Sequence, residues 1–251
     1  MEQEERSLTI SSFYHLIMND FLLEYKNTIT FSVEILASLT GLIFYKKYKH
    51  SPTKYFIWFL VGVAFCDYAN TYVYHIKNGG IFSFLDGTVF IRNFWWSTLF
   101  WKIGAIVFLA FFYRKILSSH IFKTTIKYSS YAFLLFSVSY ILLNWDDFFV
   151  RFFPVIDVLG AIIVFMSTIF YFFEILQSDK ILTFYKSLNF YISFAIFIWW
   201  LIITPLVFYD IYNSHRDWNF IFLKWQIYLF VNILMYLTFT FALIWCKPEN
   251  D

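Results

Sequence analysis

The sequence predicts an all-α, polytopic integral membrane protein with seven transmembrane helices. Of its 251 residues, 60% are hydrophobic and only 14% are charged, whereas soluble domains carry about 25% charged residues. The chain also holds 36 Phe, 19 Tyr and 10 Trp, more large aromatic residues than a soluble fold of this size can bury. Most of them stand in long apolar runs bounded by charged clusters, the pattern of membrane-spanning segments.

Seven apolar runs come near the roughly 20 residues that a helix needs to cross the hydrocarbon core of a bilayer. Backbone polar groups within lipid must bond internally, so each run is predicted to be a helix. Spans one to seven are placed at about residues 28–45, 55–74, 94–113, 128–143, 155–176, 188–209 and 220–245. Span four is the shortest. The whole chain, residues 1–251, is predicted to form a single membrane domain.

The distribution of Lys and Arg predicts the orientation. Ten of them lie in the loops after spans one, three and five: Lys46, Lys47, Lys49, Lys54, Arg114, Lys115, Lys123, Lys127, Lys180 and Lys186. Four lie in the opposite loops: Lys77, Arg92, Arg151 and Arg216. Because basic loops stay on the cytoplasmic side, the N-terminus is predicted outside and the C-terminus in the cytoplasm. The expected location is a plasma membrane, in the simplest case a bacterial inner membrane.

The segment before span one, residues 7–24, has apolar residues at helical spacing: Ile10, Phe13, Ile17 and Phe21. This pattern predicts a short amphipathic helix on the outer surface of the membrane. The other interpretation is a helix that precedes the first span and packs against the bundle.

Three charged residues inside the predicted spans fall at similar depth. Lys102 lies eight residues into span three, or about 12 Å at helical rise. Glu34 lies eight residues past Lys26, and Asp67 lies seven residues short of the outer end of span two. Each charge alone in lipid costs about 3 kcal/mol or more. We therefore expect Glu34, Asp67 and Lys102 to face inward as one intramembrane charge layer.

Small and polar residues at helical spacing accompany these charges and predict close helix contacts. The supporting polar residues are Thr30, Ser38, Asn70, Thr98 and Asn232. Pro205 is expected to kink span six. The acids at the two ends of span five, Asp157 and Glu174, are expected to meet headgroup water.

The layer supplies two carboxyl groups for one ammonium group. One interpretation is a proton- or cation-linked site at Glu34 and Asp67, with Lys102 as a fixed counter-ion, because crowded carboxylates in a low dielectric hold a proton between them. The other is a permanent polar clasp that sets the helix register. A third is that the predicted depth of one of the three charges is wrong, and that its side chain reaches the membrane–water interface.

The sequence lacks the motifs of the common enzyme classes. It has no H-x-x-x-H or H-x-x-E-H zinc pattern, no glycine-rich phosphate loop and no nucleophile elbow. We therefore predict no catalytic residues, no metal site, no cofactor and no nucleic-acid partner. The leading prediction is a non-enzymatic sensory or accessory subunit that contacts the lipid bilayer and a membrane or cytoplasmic protein partner. A proton- or cation-coupled carrier or channel is second, and a membrane enzyme is third.

Overall fold

The computed structural model describes residues 24–77, 80–212 and 218–248. Over these residues the chain is all-helical, with 86% helix and no strand. Six of the helices are long and apolar enough to cross a membrane. The prediction of an all-helical protein is therefore confirmed, and the six apolar helices indicate a protein embedded in a membrane.

Seven long helices run through the described residues. They are α1 (24–43), α2 (Thr53–Ile76), α3 (Phe94–Ile116), α4 (His120–Leu143), α5 (Pro154–Leu176), α6 (Leu188–Tyr212) and α7 (Trp218–Trp245). Helix α1 is not among the six membrane-compatible helices. Lys26, Glu34 and several hydroxyl side chains make it less apolar than the others. The predicted outer amphipathic helix, residues 7–24, lies outside the described residues apart from Glu24, which already belongs to α1.

Helix α4 begins at His120, eight residues before the predicted start of span four at residue 128. The first N–H groups of a helix need acceptors from outside it. In the turn before the helix, Glu174 accepts hydrogen bonds from the backbone N–H groups of Ser118 and Ser119, both at 2.7 Å. The side chain of Ser119 also accepts from the N–H of Phe122. With these acceptors the helix can start in a polar and basic segment. A prediction from apolar runs does not include that segment in the helix.

Helices α1, α2, α3, α5, α6 and α7 form a ring. The hydroxyl of Ser38 on α1 donates to the carbonyl of Leu60 on α2 at 2.9 Å, and α2 stacks on α3 through Phe59 and Phe108, with ring centroids 4.2 Å apart. Helix α5 packs against α3 and α6, and α6 packs against α7. The hydroxyl of Tyr236 on α7 bonds Glu34 on α1 and completes the ring. Helix α4 lies outside it, against α3 and α5.

The turn after α1 is fastened to the end of α7. The hydroxyl of Tyr48 donates to the carbonyls of Leu243 and Cys246 at 3.0 and 2.8 Å, and the ammonium of Lys47 donates to the carbonyl of Ile244 at 3.0 Å. These carbonyls belong to the end of a helix, where intrahelical donors run out. Burial raises the pKa of the Tyr48 hydroxyl, so it remains a donor at neutral pH. This end of the bundle is called the Tyr48 end below, and the opposite end the Lys26 end.

Candidate functional site

A cavity of about 310 Å³ lies within the six-helix ring. Every helix of the ring contributes to its wall, whereas α4 does not. The charged residues of the wall are Asp67, Lys102 and Asp157. Three indoles also line it: Trp101, Trp199 and Trp200. The cavity therefore combines an aromatic surface with a few ionisable groups, as small-molecule sites commonly do.

The ammonium of Lys102 forms an ion pair with the carboxylate of Asp157. Asp157 is buried, with 8% of its surface exposed, so the prediction that it meets headgroup water is wrong. The contact follows from the close approach of α3 and α5. A Cβ atom added to Gly160, one turn past Asp157, would lie 3.0 Å from Ile106 on α3.

The helix around Lys102 is not a regular α-helix. Residues Thr98–Gly104 form a π-helix, and the N–H of Ala105 donates to the carbonyl of Phe100, five residues earlier. A π segment turns the side chains that follow it relative to an α-helix, and such segments occur often at functional sites. The α-helical spacing assumed for the polar residues around Lys102 therefore does not apply here.

The carboxyl groups of Glu34 and Asp67 lie in hydrogen-bonding contact. Oε1 of Glu34 accepts from the hydroxyl of Tyr236 at 3.2 Å, and Oδ1 of Asp67 accepts from the indole N–H of Trp101 at 2.6 Å. Glu34 is 1% exposed, and its Oε2 has no donor among the described residues. Because ionised carboxylates only accept hydrogen bonds, a bond between the two groups requires a hydrogen on one of them.

The predicted layer is thus divided between two contacts. Asp67 and Lys102 both line the cavity, while Glu34 lies behind Asp67. Lys102 pairs with Asp157 on α5. The structure therefore contains a carboxyl pair and an ion pair around one cavity, where the sequence suggested a single cluster of three charges.

The supporting polar residues take different positions. Thr30 and Asn232 line the cavity, and Asn232 accepts from the indole N–H of Trp199 at 2.6 Å. Ser38 joins α1 to α2, and Thr98 is fully buried in the π segment. Asn70 lines a second cavity at the Lys26 end, which is called the vestibule below.

Pro205 stands in the part of α6 that lines the cavity. The helix continues past it to Tyr212, and the cavity wall includes Ile203 and Val207 on either side. A proline lacks the N–H that would bond four residues back, so the backbone is weakened at this wall. The kink itself stays a prediction.

A vestibule of about 480 Å³ lies at the Lys26 end. It shares Thr30, Asp67, Tyr228 and Asn232 with the central cavity, so these side chains stand between the two. The ammonium of Lys26 sits 3.1 Å from the ring centroid of Trp225 in the vestibule wall. Asp67 is therefore exposed to both spaces.

A third cavity, of about 720 Å³, lies at the Tyr48 end and includes Tyr171, Glu174 and Ser187 in its wall. It shares no wall residue with the central cavity. Between the two lie Tyr113 and Ser193, both completely buried. Tyr113 lies one turn from Leu109 on α3, and Ser193 lies one turn from Ile196 on α6. Leu109 and Ile196 both line the central cavity. Polar groups therefore continue toward the Tyr48 end.

Within the described ranges, no group of three or more His, Cys, Asp or Glu side chains could hold a metal ion. No protein-family model matches the chain, and no match was found among curated proteins or solved structures. What the site does must therefore be inferred from its geometry and charge.

The ion pair predicts a specific double-mutant result. Lys102→Met leaves the buried Asp157 carboxylate without its cation, and we expect it to lower the free energy of unfolding by about 3 kcal/mol. Adding Asp157→Asn should restore most of this loss, because the uncompensated charge is gone. Unfolding by denaturant in detergent micelles measures both variants.

The matched control combines Lys102→Met with Glu34→Gln, which removes the other deeply buried acid. We expect no recovery in this variant. Recovery with Glu34→Gln but not with Asp157→Asn would show that Lys102 neutralises Glu34 instead.

Proposed function

We propose that this chain is a proton-coupled carrier of a small solute. One observation carries the proposal. Asp67 lies in the wall of the central cavity, its partner Glu34 lies behind that wall, and Asp67 also lines the adjoining vestibule. Its volume of about 310 Å³ lies at the small end of the range for ligand pockets, about 300–1,000 Å³. A purely structural clasp would need its charges paired, but it would not need a cavity beside them.

The coupling group in this proposal is the Glu34–Asp67 pair. Lys102 is already neutralised by Asp157, so the pair must be balanced by a proton or another cation. Asp67 reaches both the vestibule and the cavity, and it can therefore exchange a proton with water and sense a bound solute. Ionisable groups inside membrane segments commonly serve such relays.

A carrier must also open to each side in turn, and two wall helices have local irregularities that favour such movement. Helix α3 contains the π segment around Lys102, and α6 contains Pro205. Interrupted helices at the binding site are typical of secondary transporters. The cavities at the Lys26 and Tyr48 ends are the proposed entrances.

We further propose that all seven long helices span the membrane, with the N-terminus outside. Helix α1 supports this because Glu34 is buried against α2 and α7, so α1 belongs to the ring. The excess of Lys and Arg in the loops of the Tyr48 end supports a cytoplasmic position for that end. The proposed location is a plasma membrane, a bacterial inner membrane in the simplest case.

Labelling of single cysteines with an impermeant maleimide tests this topology. With Cys66 and Cys246 replaced by Ala, Glu24→Cys and Asp86→Cys should react in intact cells. His50→Cys should react only after the cells are made permeable, because it lies beyond α1 at the Tyr48 end. All three sites are exposed. Protection of Glu24→Cys together with His50→Cys would mean that α1 does not cross the membrane, and the reverse pattern would invert the orientation.

The sensory or accessory role expected from the sequence is the second candidate, and the basic Tyr48 end favours it. Lys46, Lys49 and Lys115 are exposed there and suit docking to an acidic protein surface. A sensor would bind its ligand in the same cavity without moving it. Neither candidate assigns a catalytic reaction to the chain.

The carrier proposal is tested with the full chain in proteoliposomes that enclose a pH-sensitive dye. We would add choline, glycine, glucose and lactate in turn, as a cation, a zwitterion, a neutral solute and an anion. At least one should evoke a saturable change of internal pH. Asp67→Asn should abolish the change, because it removes the group that exchanges the proton.

Asp146→Asn is the matched control, since Asp146 is exposed in the loop between α4 and α5, and it should behave like the unmodified chain. If no solute changes the internal pH although the protein is folded, the carrier proposal fails. Binding of a solute without a pH change would favour the sensory role.

A further inference from the structure

The charges around the cavity do not balance. Among the described residues, three carboxyl groups, those of Glu34, Asp67 and Asp157, meet one ammonium group, that of Lys102. The Lys102–Asp157 pair is neutral as a unit. One proton shared between Glu34 and Asp67 leaves a single negative charge. A monovalent cation can take the place of that proton at the same net charge, while an anion would add to the imbalance.

The rest of the wall decides between a bare metal cation and an organic one. Metal cations such as Ca²⁺ take six or more oxygen ligands, and the cavity wall to which Asp67 belongs consists mainly of aromatic and aliphatic side chains. Indole rings attract ammonium groups through their π faces, and the attraction reaches about 2 kcal/mol or more in desolvated sites. The three tryptophans of the cavity wall offer such a surface beside Asp67.

Two of these indoles are held in place by their own hydrogen bonds. Trp101 donates to Asp67 and Trp199 donates to Asn232, both at 2.6 Å. Their N–H groups are thus used, and the rings are left to form an apolar wall. The vestibule already shows the same chemistry within the chain, because the ammonium of Lys26 lies over the ring of Trp225.

We propose that the solute of this cavity is a small organic monocation, an amine or quaternary ammonium ion, bound between Asp67 and the indoles of Trp101, Trp199 and Trp200. This inference rests on the proposed carrier function and names its substrate class. The exchange balances in charge: when the cation binds, the proton shared by Glu34 and Asp67 leaves to water in the vestibule. No covalent bond of the solute changes.

Cation and proton compete for the same carboxyl pair, so the half-saturating concentration of the cation should rise as the pH falls. Other ionisable groups near the pair contribute to its environment. From the surrounding helices they are Cys66, Lys102, Asp157, Tyr228, Tyr236 and, in the vestibule, Lys26.

The test compares choline with its carbon isostere, in which a quaternary carbon replaces the quaternary nitrogen. The two have the same shape and differ by one charge. In the proteoliposome assay, choline should raise the pH inside the vesicles with saturation and the isostere should not. Trp200→Leu should increase the half-saturating concentration of choline roughly tenfold, because it removes one aromatic face.

Trp58→Leu is the matched control, since Trp58 lies on α2 with 55% of its surface exposed, and it should leave the choline response unchanged. Trp200→Phe, which keeps an aromatic face, should recover most of the response and would show that the protein still folds. The inference is overturned if the isostere, glucose or lactate drives the pH change and choline does not, or if Trp200→Leu has no effect. The carrier proposal itself fails in a different way, when none of the solutes drives a pH change.

Discussion

The ion pair between Lys102 and Asp157 determines how the other charges inside the bundle must be neutralised. An ammonium group in an apolar bundle needs a carboxylate within contact distance, because transfer of a lone charge from water costs several kcal/mol. Lys102 on α3 forms its ion pair with the carboxylate of Asp157 on α5. Glu34 and Asp67, on α1 and α2, then have no ammonium in contact among the described residues, and they lie against each other. Two acids in contact are stable in such a place only if they hold a proton or a cation. The proposed function follows from this second pair.

The packing of the ring supports the same conclusion. Gly160 lets α5 approach α3 closely enough for the ion pair, and the π segment sets the direction of Lys102. Large indoles then surround the remaining space and leave a cavity instead of a close-packed core. Tyr236 and Trp101 each donate one hydrogen bond to the carboxyl pair, which positions the two acids without neutralising them. Asp67 faces both the cavity and the vestibule, and in the proposed function it is the group through which a proton and a solute affect each other.

The sequence predicted the class of fold and the residues that matter better than their contacts. Apolar runs reveal helices in lipid, and a charge inside such a run is easily recognised, so Glu34, Asp67 and Lys102 could be selected. Asp157 was assigned to headgroup water because it lies three residues after the start of its helix, where depth depends on how the preceding loop folds. The π segment was missed because an α-helical period was assumed throughout α3.

The bonds from Trp101 to Asp67 and from Trp199 to Asn232 join residues more than thirty positions apart, and a single sequence gives no signal for such pairs. The start of α4 at His120 depends on a carboxylate from α5, which apolar periodicity cannot reveal.

The central claim is that Glu34 and Asp67 share one proton at neutral pH, and infrared spectroscopy of the full chain in lipid tests it most directly. A protonated carboxyl group gives a carbonyl stretching band that an ionised one lacks. We predict such a band at neutral pH in the unmodified chain. It should disappear in Glu34→Gln and in Asp67→Asn, and it should persist in Asp146→Asn. A spectrum without this band, or a band that survives both substitutions in the carboxyl pair, would contradict the account.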